Sequence, residues 1–334
     1  MKSLLLALFA CLLLGQPLVA APQDDAKKAP AESPELVEAA QLNVQAVGLY
    51  NEKKYDEALP LARRVLEIRE KQLAADHELV VFALLNLGSI YLAKANYDDA
   101  QAIYKRALTI QEKKFGADNS KLLNAMDNLA LLSFALRNNG RAEDLYKRAL
   151  AIREKAYGAE HLETAYGLLG LAVFYERIDK YAKAVEFYKR ALAIKEKRLA
   201  PDHPEIAELL AQCSCALSFN DQLDESKQYR ERAEKIQQLA PINPLRKGLL
   251  QGSAIYKVEP VYPAEARRAG VRGTVVVTIT VDECGRVIDA QALSGPGDLK
   301  DASVKAARRW RFSSTKLGTR PVKVIGTITF NFNR

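Results

Sequence analysis

Apolar and polar positions recur with a period of 42 residues over more than half of the chain. Small residues return at Ala58, Ala100, Ala142 and Ala184, with Ser226 at the fifth place. Four residues on, the column reads Ala62, Tyr104, Tyr146, Tyr188 and Arg230, and a Leu column runs through Leu66, Leu108, Leu150 and Leu192. An acidic-polar stop recurs at the same spacing, as Asp76-His77, Asp118-Asn119, Glu160-His161 and Asp202-His203. Within one period the apolar positions form two helical runs. Leu85, Leu87, Gly88 and Tyr91 make the first; Asn96-Tyr97-Asp98 interrupts; Ala100, Ile103, Tyr104, Ala107, Leu108 and Gln111 make the second, up to Phe115-Gly116. Each unit is a predicted helix pair, and self-similarity of this length implies stacked units rather than one globular core. Gly88, Ala130 and Ala172 share a column, as do Ala107, Ala149 and Ala191, which marks where helix backbones must approach closely.

From about Gly252 the period falls to two. Pro263 opens a predicted short helix, Ala264 to Ala269, with Gly270 at its C-cap. Val275, Val277, Ile279 and Val281 alternate along a strand, Asp282-Glu283-Cys284-Gly285 is a hairpin turn, and Arg286 to Leu293 returns. A helix follows with Leu299, Ala302, Ser303, Ala306, Ala307 and Trp310 on one stripe, Trp310 being read as core. A last strand runs from Val322 to Phe332. The pattern predicts a three-stranded antiparallel sheet covered by two helices.

The two ends of the array read differently. Met1–Ala21 is a secretory leader by its pattern: Lys2, the apolar run Leu4–Leu14, a Gly15-Gln16-Pro17 break and a small-residue site, with cleavage after Ala20 or Ala21. Residues 22–34 are expected to be a flexible tail, 35–240 the helical solenoid of about five pairs, 241–252 a linker and 253–334 the strand-containing domain. The last repeat has weak columns and a polar end, Asp224-Glu225-Ser226-Lys227, which suits a cap facing water. No stretch beyond the leader is apolar enough to span a bilayer. The mature protein is therefore expected to be periplasmic and soluble.

Composition changes this picture little: 49% hydrophobic and 27% charged residues suit a folded chain. Charge changes it more. The net charge is +8, yet residues 241–334 alone carry 16 Lys/Arg against 7 Asp/Glu. The basicity thus belongs to the C-terminal module and favours an acidic partner there. The four cysteines do not form a disulfide framework by count; Cys213 and Cys215 sit in helix-packing columns, and Cys284 reads as an incidental turn thiol, with a reactive thiol or a link between two chains as the alternatives.

The Leu87-Gly88, Tyr91, Ala100, Tyr104, Ala107 pattern resembles the tetratricopeptide repeat, in the longer form of kinesin light chains with "Asp-His" between units. Residues Pro260, Tyr262-Pro263, Gly270, Gly273, Val281-Asp282, Gly285-Arg286-Val287, Trp310-Arg311-Phe312, Pro321-Val322 and Phe330 resemble the C-terminal domain of the TonB family. That resemblance implies a periplasmic domain that takes an extended peptide of an outer-membrane receptor beside its last strand. The two together imply an all-α solenoid followed by a small α+β domain, acting as an adaptor between proteins. The alternative is a divergent energy transducer held in the inner membrane by an uncleaved leader. An N-terminus at Ala21 or Pro22 would exclude a membrane-spanning transducer, and an intact Met1 would retain it.

Candidate chemistry is of the binding kind. His77, His161 and His203 occupy one column with Asn119, a repeat apart, and read as capping residues rather than metal ligands. No nucleophile elbow, zinc spacing or phosphate loop is present, so neither an enzyme nor a cofactor is expected. Asn86 and Asn128 lie on first helices, where the resemblance places a peptide groove, with local packing as the alternative role. The Lys-Arg pairs at 105/106, 147/148 and 189/190 read as a solvated face, with a peptide-binding stripe as the alternative. The last strand is expected to be an open sheet edge, with Lys323, Ile325, Thr327 and Thr329 as the candidate set facing a partner strand. The alternation alone leaves open which of the two sets is outward. Expected partners are proteins, with TonB-dependent outer-membrane receptors implied by the resemblance. Nucleic acid and small-molecule substrates are not expected, and membrane contact is expected only with a retained leader.

Overall fold

The computed structural model describes residues 33–238, 243–318 and 320–333. The predicted leader and nearly all of the predicted tail lie outside them. The chain divides into two compact units, with the division between Arg198 and Leu199.

Four helix pairs form the first unit: α1 (Pro34–Asn51) with α2 (Tyr55–Gln72), α3 (Glu78–Ala93) with α4 (Tyr97–Phe115), α5 (Leu123–Ala135) with α6 (Asn139–Tyr157), and α7 (Leu162–Arg177) with α8 (Tyr181–Arg198). Ser33 caps α1, its hydroxyl accepting from the Leu36 amide at 3.3 Å. The small columns are where helices meet. Ala100, Ala107, Ala130, Ala149 and Ala172 are fully buried. A methyl group at Gly88 would come within 2.5 Å of the Tyr104 ring, so only glycine admits that ring.

The turns are built by a repeated backbone device. Lys53, Ala95, Arg137, Asp179 and, in the second unit, Asp221 all have φ between 58° and 62°. The next amide then reaches back five residues: Lys54 N to Leu49 O at 2.8 Å, Asn96 N to Tyr91 O at 2.9 Å, Asn138 N to Ser133 O at 2.8 Å. This closes the first helix of each pair on its own carbonyls. Between pairs the histidine column acts as read from sequence. Nδ1 of His77, His161 and His203 accepts from the amides of Leu79, Glu163 and Glu205 at 3.2, 3.1 and 3.3 Å. Asn119 does the same for Lys121 at 3.0 Å.

The second unit begins with the fifth pair, α9 (Pro204–Phe219) and α10 (Leu223–Ile236). Then follow β1 (Leu245–Leu249), β2 (Ala254–Tyr256), α11 (Ala264–Arg268), β3 (Gly273–Val281), β4 (Val287–Ser294) and α12 (Gly297–Ala307). The chain ends in β5 (Arg311–Phe312), β6 (Lys316–Leu317), β7 (Arg320–Pro321) and β8 (Val324–Phe332). Val275, Val277, Ile279, Ile328, Phe330 and Leu299 form the core with Trp310, whose Nε1 donates to Val258 O at 2.8 Å.

Three expectations need correction here. The main sheet has four strands, in the order β1-β8-β3-β4. The antiparallel trio β4-β3-β8 is as read, but β1 comes from residues taken as linker and pairs with β8 in parallel. The last strand is therefore interior, not an open edge; Leu245 and Leu250 supply enough apolar side chain to seat a segment otherwise rich in Pro, Gly and cations. The cysteine reading also changes: Cys215 on α9 is disulfide-bonded to Cys284 in the β3–β4 turn, with their Cα atoms 5.5 Å apart, while Cys213 is buried and takes no part in that bond. Finally, the fifth pair does not simply face water. Ser218 Oγ donates to Asp282 Oδ2 at 2.6 Å, Arg230 pairs with Glu283, Arg286 with Asp221, and Arg320 with Glu234 at 2.9 Å. The Arg311 guanidinium lies over the Phe219 ring, 4.5 Å from its centroid. Weak repeat columns in α9 and α10 are thus adapted to the β3–β4 turn.

Candidate protein interfaces

One candidate is the side of β8 that faces away from β3. Backbone polar groups alternate in direction along a strand. Leu245 N donates to Lys323 O and Leu250 N to Thr327 O, both at 2.8 Å. The Gln251 side chain brackets Thr329, its Nε2 donating to Thr329 O and its Oε1 accepting from Thr329 N, each at 3.1 Å. Lys323, Ile325, Thr327 and Thr329 therefore turn their main-chain groups outward from β3, while residues 324, 326, 328 and 330 face β3. Gly326 keeps the outer side close. A methyl group there would lie 2.6 Å from Leu250 Cγ and 2.8 Å from Gly248 O.

A second candidate lies in the first unit. A cavity of about 460 Å³ opens between α3, α4, α5 and α6. Phe82, Leu85, Phe115 and Tyr157 give it apolar walls, and Gln111, Lys121, Asn124 and Arg153 give it polar ones. Gln111 and Arg153 belong to a column that the sequence reading missed. Arg69, Gln111, Arg153 and Lys195 stand 42 residues apart and are all more than nine-tenths buried. Arg69 and Gln111 each cross to the first turn of the next repeat, donating to Leu79 O at 2.9 Å and to Lys121 O at 2.6 Å. Burial pushes the Arg69 guanidinium down to about 10. Arg153 binds Asp127 with two nitrogens, at 3.3 and 2.5 Å. Burial lowers its pKa, but Asp127 together with Glu163 and Tyr157 more than offsets that, so it stays above its ordinary value. Gln111 Oε1 and Arg153 Nε have no hydrogen-bond partner among the described residues. The signal was present in the sequence as a recurring long polar side chain at a core position, but the partners of Arg69 and Gln111 are carbonyls, which sequence does not mark.

Asn86 and Asn128 do not line this cavity. Asn86 is buried and its Nδ2 donates to Asn43 Oδ1 at 3.0 Å, so it ties α3 to α1. Asn128 is half-buried on α5. The arginines of the Lys-Arg pairs form a ladder between repeats: Arg106 with Glu70 at 2.5 Å, Arg148 with Glu112 at 2.9 Å and Arg190 with Glu154 at 3.1 Å. Such exposed pairs contribute little each, about 0–1 kcal/mol. Among the described residues no group of His, Cys, Asp and Glu could hold a metal ion, and no helix is long and apolar enough to cross a membrane.

Comparison with known proteins agrees with both halves. The tetratricopeptide repeat model matches residues 36–113, 121–197 and 163–238, and the model of the Gram-negative bacterial TonB protein C-terminal matches residues 258–333. The array is similar in fold to the nearly identical TPR-like repeats of a Podosopora anserina kinesin light chain, at 22% identity and TM-score 0.54, over 61% of this chain and 97% of that one. It is also similar to BtubC of P. vanneervenii, at 22% identity and TM-score 0.55, over 70% and 96%. The C-terminal domain is 40% identical over 82 residues to Protein TonB of Klebsiella pneumoniae, and 38% identical over 68 residues to that of Vibrio cholerae. Those stretches are 24% and 20% of this chain and span only 32% and 28% of the two relatives. Both matched families are interaction domains, and the chain belongs to the tetratricopeptide repeat family, with a TonB-type domain at its C-terminal end.

Proposed function

We propose that the protein is an exported adaptor of the cell envelope, holding one protein in the helical array and a second by strand addition along β8. The carrying observation is the outward row of main-chain groups on residues 323, 325, 327 and 329, which accepts a parallel strand. An extended peptide can complete such a row, and pockets beside it give specificity. The similarity to Protein TonB makes outer-membrane receptors the first partners to test. Export is supported by the leader pattern and by the Cys215–Cys284 disulfide, which requires an oxidising compartment such as the periplasm. In the array, the cavity beside Gln111 and Arg153 suits an apolar side chain with its main-chain amide. The peptide C=O would accept from Arg153 Nε and the N–H would donate to Gln111 Oε1.

The test is capture of envelope proteins by the full chain and two proline variants. Ile325→Pro removes an amide donor on the outward side and should leave the domain folded while weakening retention about two- to tenfold, as expected for one lost hydrogen bond. Gly326→Pro removes one facing β3 and should damage the domain itself. Retention by folded Ile325→Pro equal to that without the substitution, in chains whose residues 244–251 are replaced by a Gly-Ser linker so that β1 does not share the lost bond, would overturn strand addition.

A further inference from the structure

The side of β8 on which the strand-addition reading rests is already occupied by the chain itself. Strand β1 lies there in parallel, paired through Leu245↔Val324, Arg246↔Ile325 and Leu249↔Thr327, with a register shift between the last two. Where β1 ends, the Gln251 side-chain amide takes over the role of main chain and saturates Thr329. We propose that residues 245–251 are a built-in strap, an internal stand-in for a partner strand, and that a partner gains β8 by displacing it.

The strap is seated but weakly held. On the other side of β8, β3 pairs through nine consecutive positions, from Gly273↔Phe332 to Val281↔Val324. The strap pairs through three and breaks register within them. Only Leu250 is buried, while Arg246, Lys247 and Gly248 are exposed and Leu249 is 64% exposed. The site is nevertheless fitted to it, since Gly326 leaves room for Leu250 Cγ and Gly248 O and for no side chain of its own. A tethered segment competes at an effective concentration on the order of millimolar. The apparent affinity of any incoming strand is then reduced by the fraction of molecules with the strap open. Exchange of one strand for another needs no change elsewhere in the sheet, because β3 and β4 keep their pairing throughout.

The experiment uses the full chain and a labelled peptide of residues 244–251, the strap's own sequence, as the probe. In a released variant, residues 244–251 are replaced by a Gly-Ser linker of equal length. In a locked variant, Arg246→Cys with Ile325→Cys joins two directly paired positions; neighbouring strands lie about 4.8 Å apart, within disulfide range. The released chain should bind the peptide at least tenfold more tightly than the parent, and the locked chain should not bind it. Hydrogen exchange at the Ile325, Thr327 and Thr329 amides should be slow in the parent and locked chains and fast in the released one. The β3-facing amides of Ile328 and Phe330 should stay slow in all three, which checks that the sheet survives. Equal peptide affinity in parent, released and locked chains would overturn the strap, as would parent exchange at Thr329 as fast as in the released chain. Failure of the parent reading looks different: the strap gates the peptide, yet Ile325→Pro keeps every envelope partner.

Discussion

Five residues, none of them glycine, hold the left-handed position that ends the first helix of each pair: Lys53, Ala95, Arg137, Asp179 and Asp221. A side chain in that conformation costs roughly 1–2 kcal/mol, because Cβ crowds the following carbonyl. The helix ends there regardless, since the next amide gains a carbonyl five residues back. The array therefore carries a removable strain once per repeat. Ala95→Gly should raise the stability of the first unit by about 1 kcal/mol after the entropy of the added glycine is counted. The check is the midpoint of chemical unfolding at unchanged helicity; no gain would mean that the turn relaxes around Ala95. The histidine caps show the same logic in polar form. The column that sequence marks as capping residues is a set of amide acceptors at 3.1–3.3 Å.

Between elements, the buried column of Arg69, Gln111, Arg153 and Lys195 does what small residues cannot. Arg69 and Gln111 reach the first turn of the next repeat, which exposes carbonyls, whereas Arg153 reaches back to Asp127 on the first helix of its own pair. Removal should be costly because a buried partner loses its bond. Arg153→Ala should destabilise the first unit by about 1–3 kcal/mol and enlarge the cavity beside Phe82 and Tyr157. Equilibrium unfolding measures the first effect. An unchanged midpoint would mean that Asp127, which is 34% exposed, is satisfied by water alone. Asn86 belongs with these packing groups as well, since it is engaged with Asn43. Loss of binding in an Asn86→Ala variant would therefore have to be read against the loss of that bond.

At the scale of the molecule, the repeat count and the compact units disagree by one repeat. Sequence assigns α9 and α10 to the array, and they have its columns, turn and histidine cap; compactness assigns them to the second unit. The Cys215–Cys284 bond is the covalent part of that attachment, and it closes a loop across 69 residues of sequence. A cross-link of that span removes chain entropy from the unfolded state worth about 4 kcal/mol. Cys215→Ser with Cys284→Ser should lower the unfolding midpoint of the second unit, and reduction of the parent should do the same. Mass spectrometry of unreduced peptides gives the direct check: an unbridged Cys284 in protein purified without reductant would remove the basis for the prediction.

The periodic half of the protein was legible because each repeat places the same position in the same environment. Columns such as Ala107, Ala149 and Ala191 state their burial several times over, and the fold follows from nearest-neighbour stacking. The antiparallel trio of the C-terminal domain was legible because alternation along Thr274–Val281 and Val324–Phe332 assigns one face to a core. Three features were decided only by tertiary structure. Strand β1 is held largely by the main chain of β8, and main-chain pairing leaves no mark in side-chain sequence; Pro241, Pro244 and Gly248 read as linker. In the buried polar column, Arg69 and Gln111 are satisfied by carbonyls of the next repeat, which any residue would supply. The disulfide needs two Cα atoms 5.5 Å apart, and for Cys215 and Cys284 that proximity exists only after α9 and the β3–β4 turn have come together.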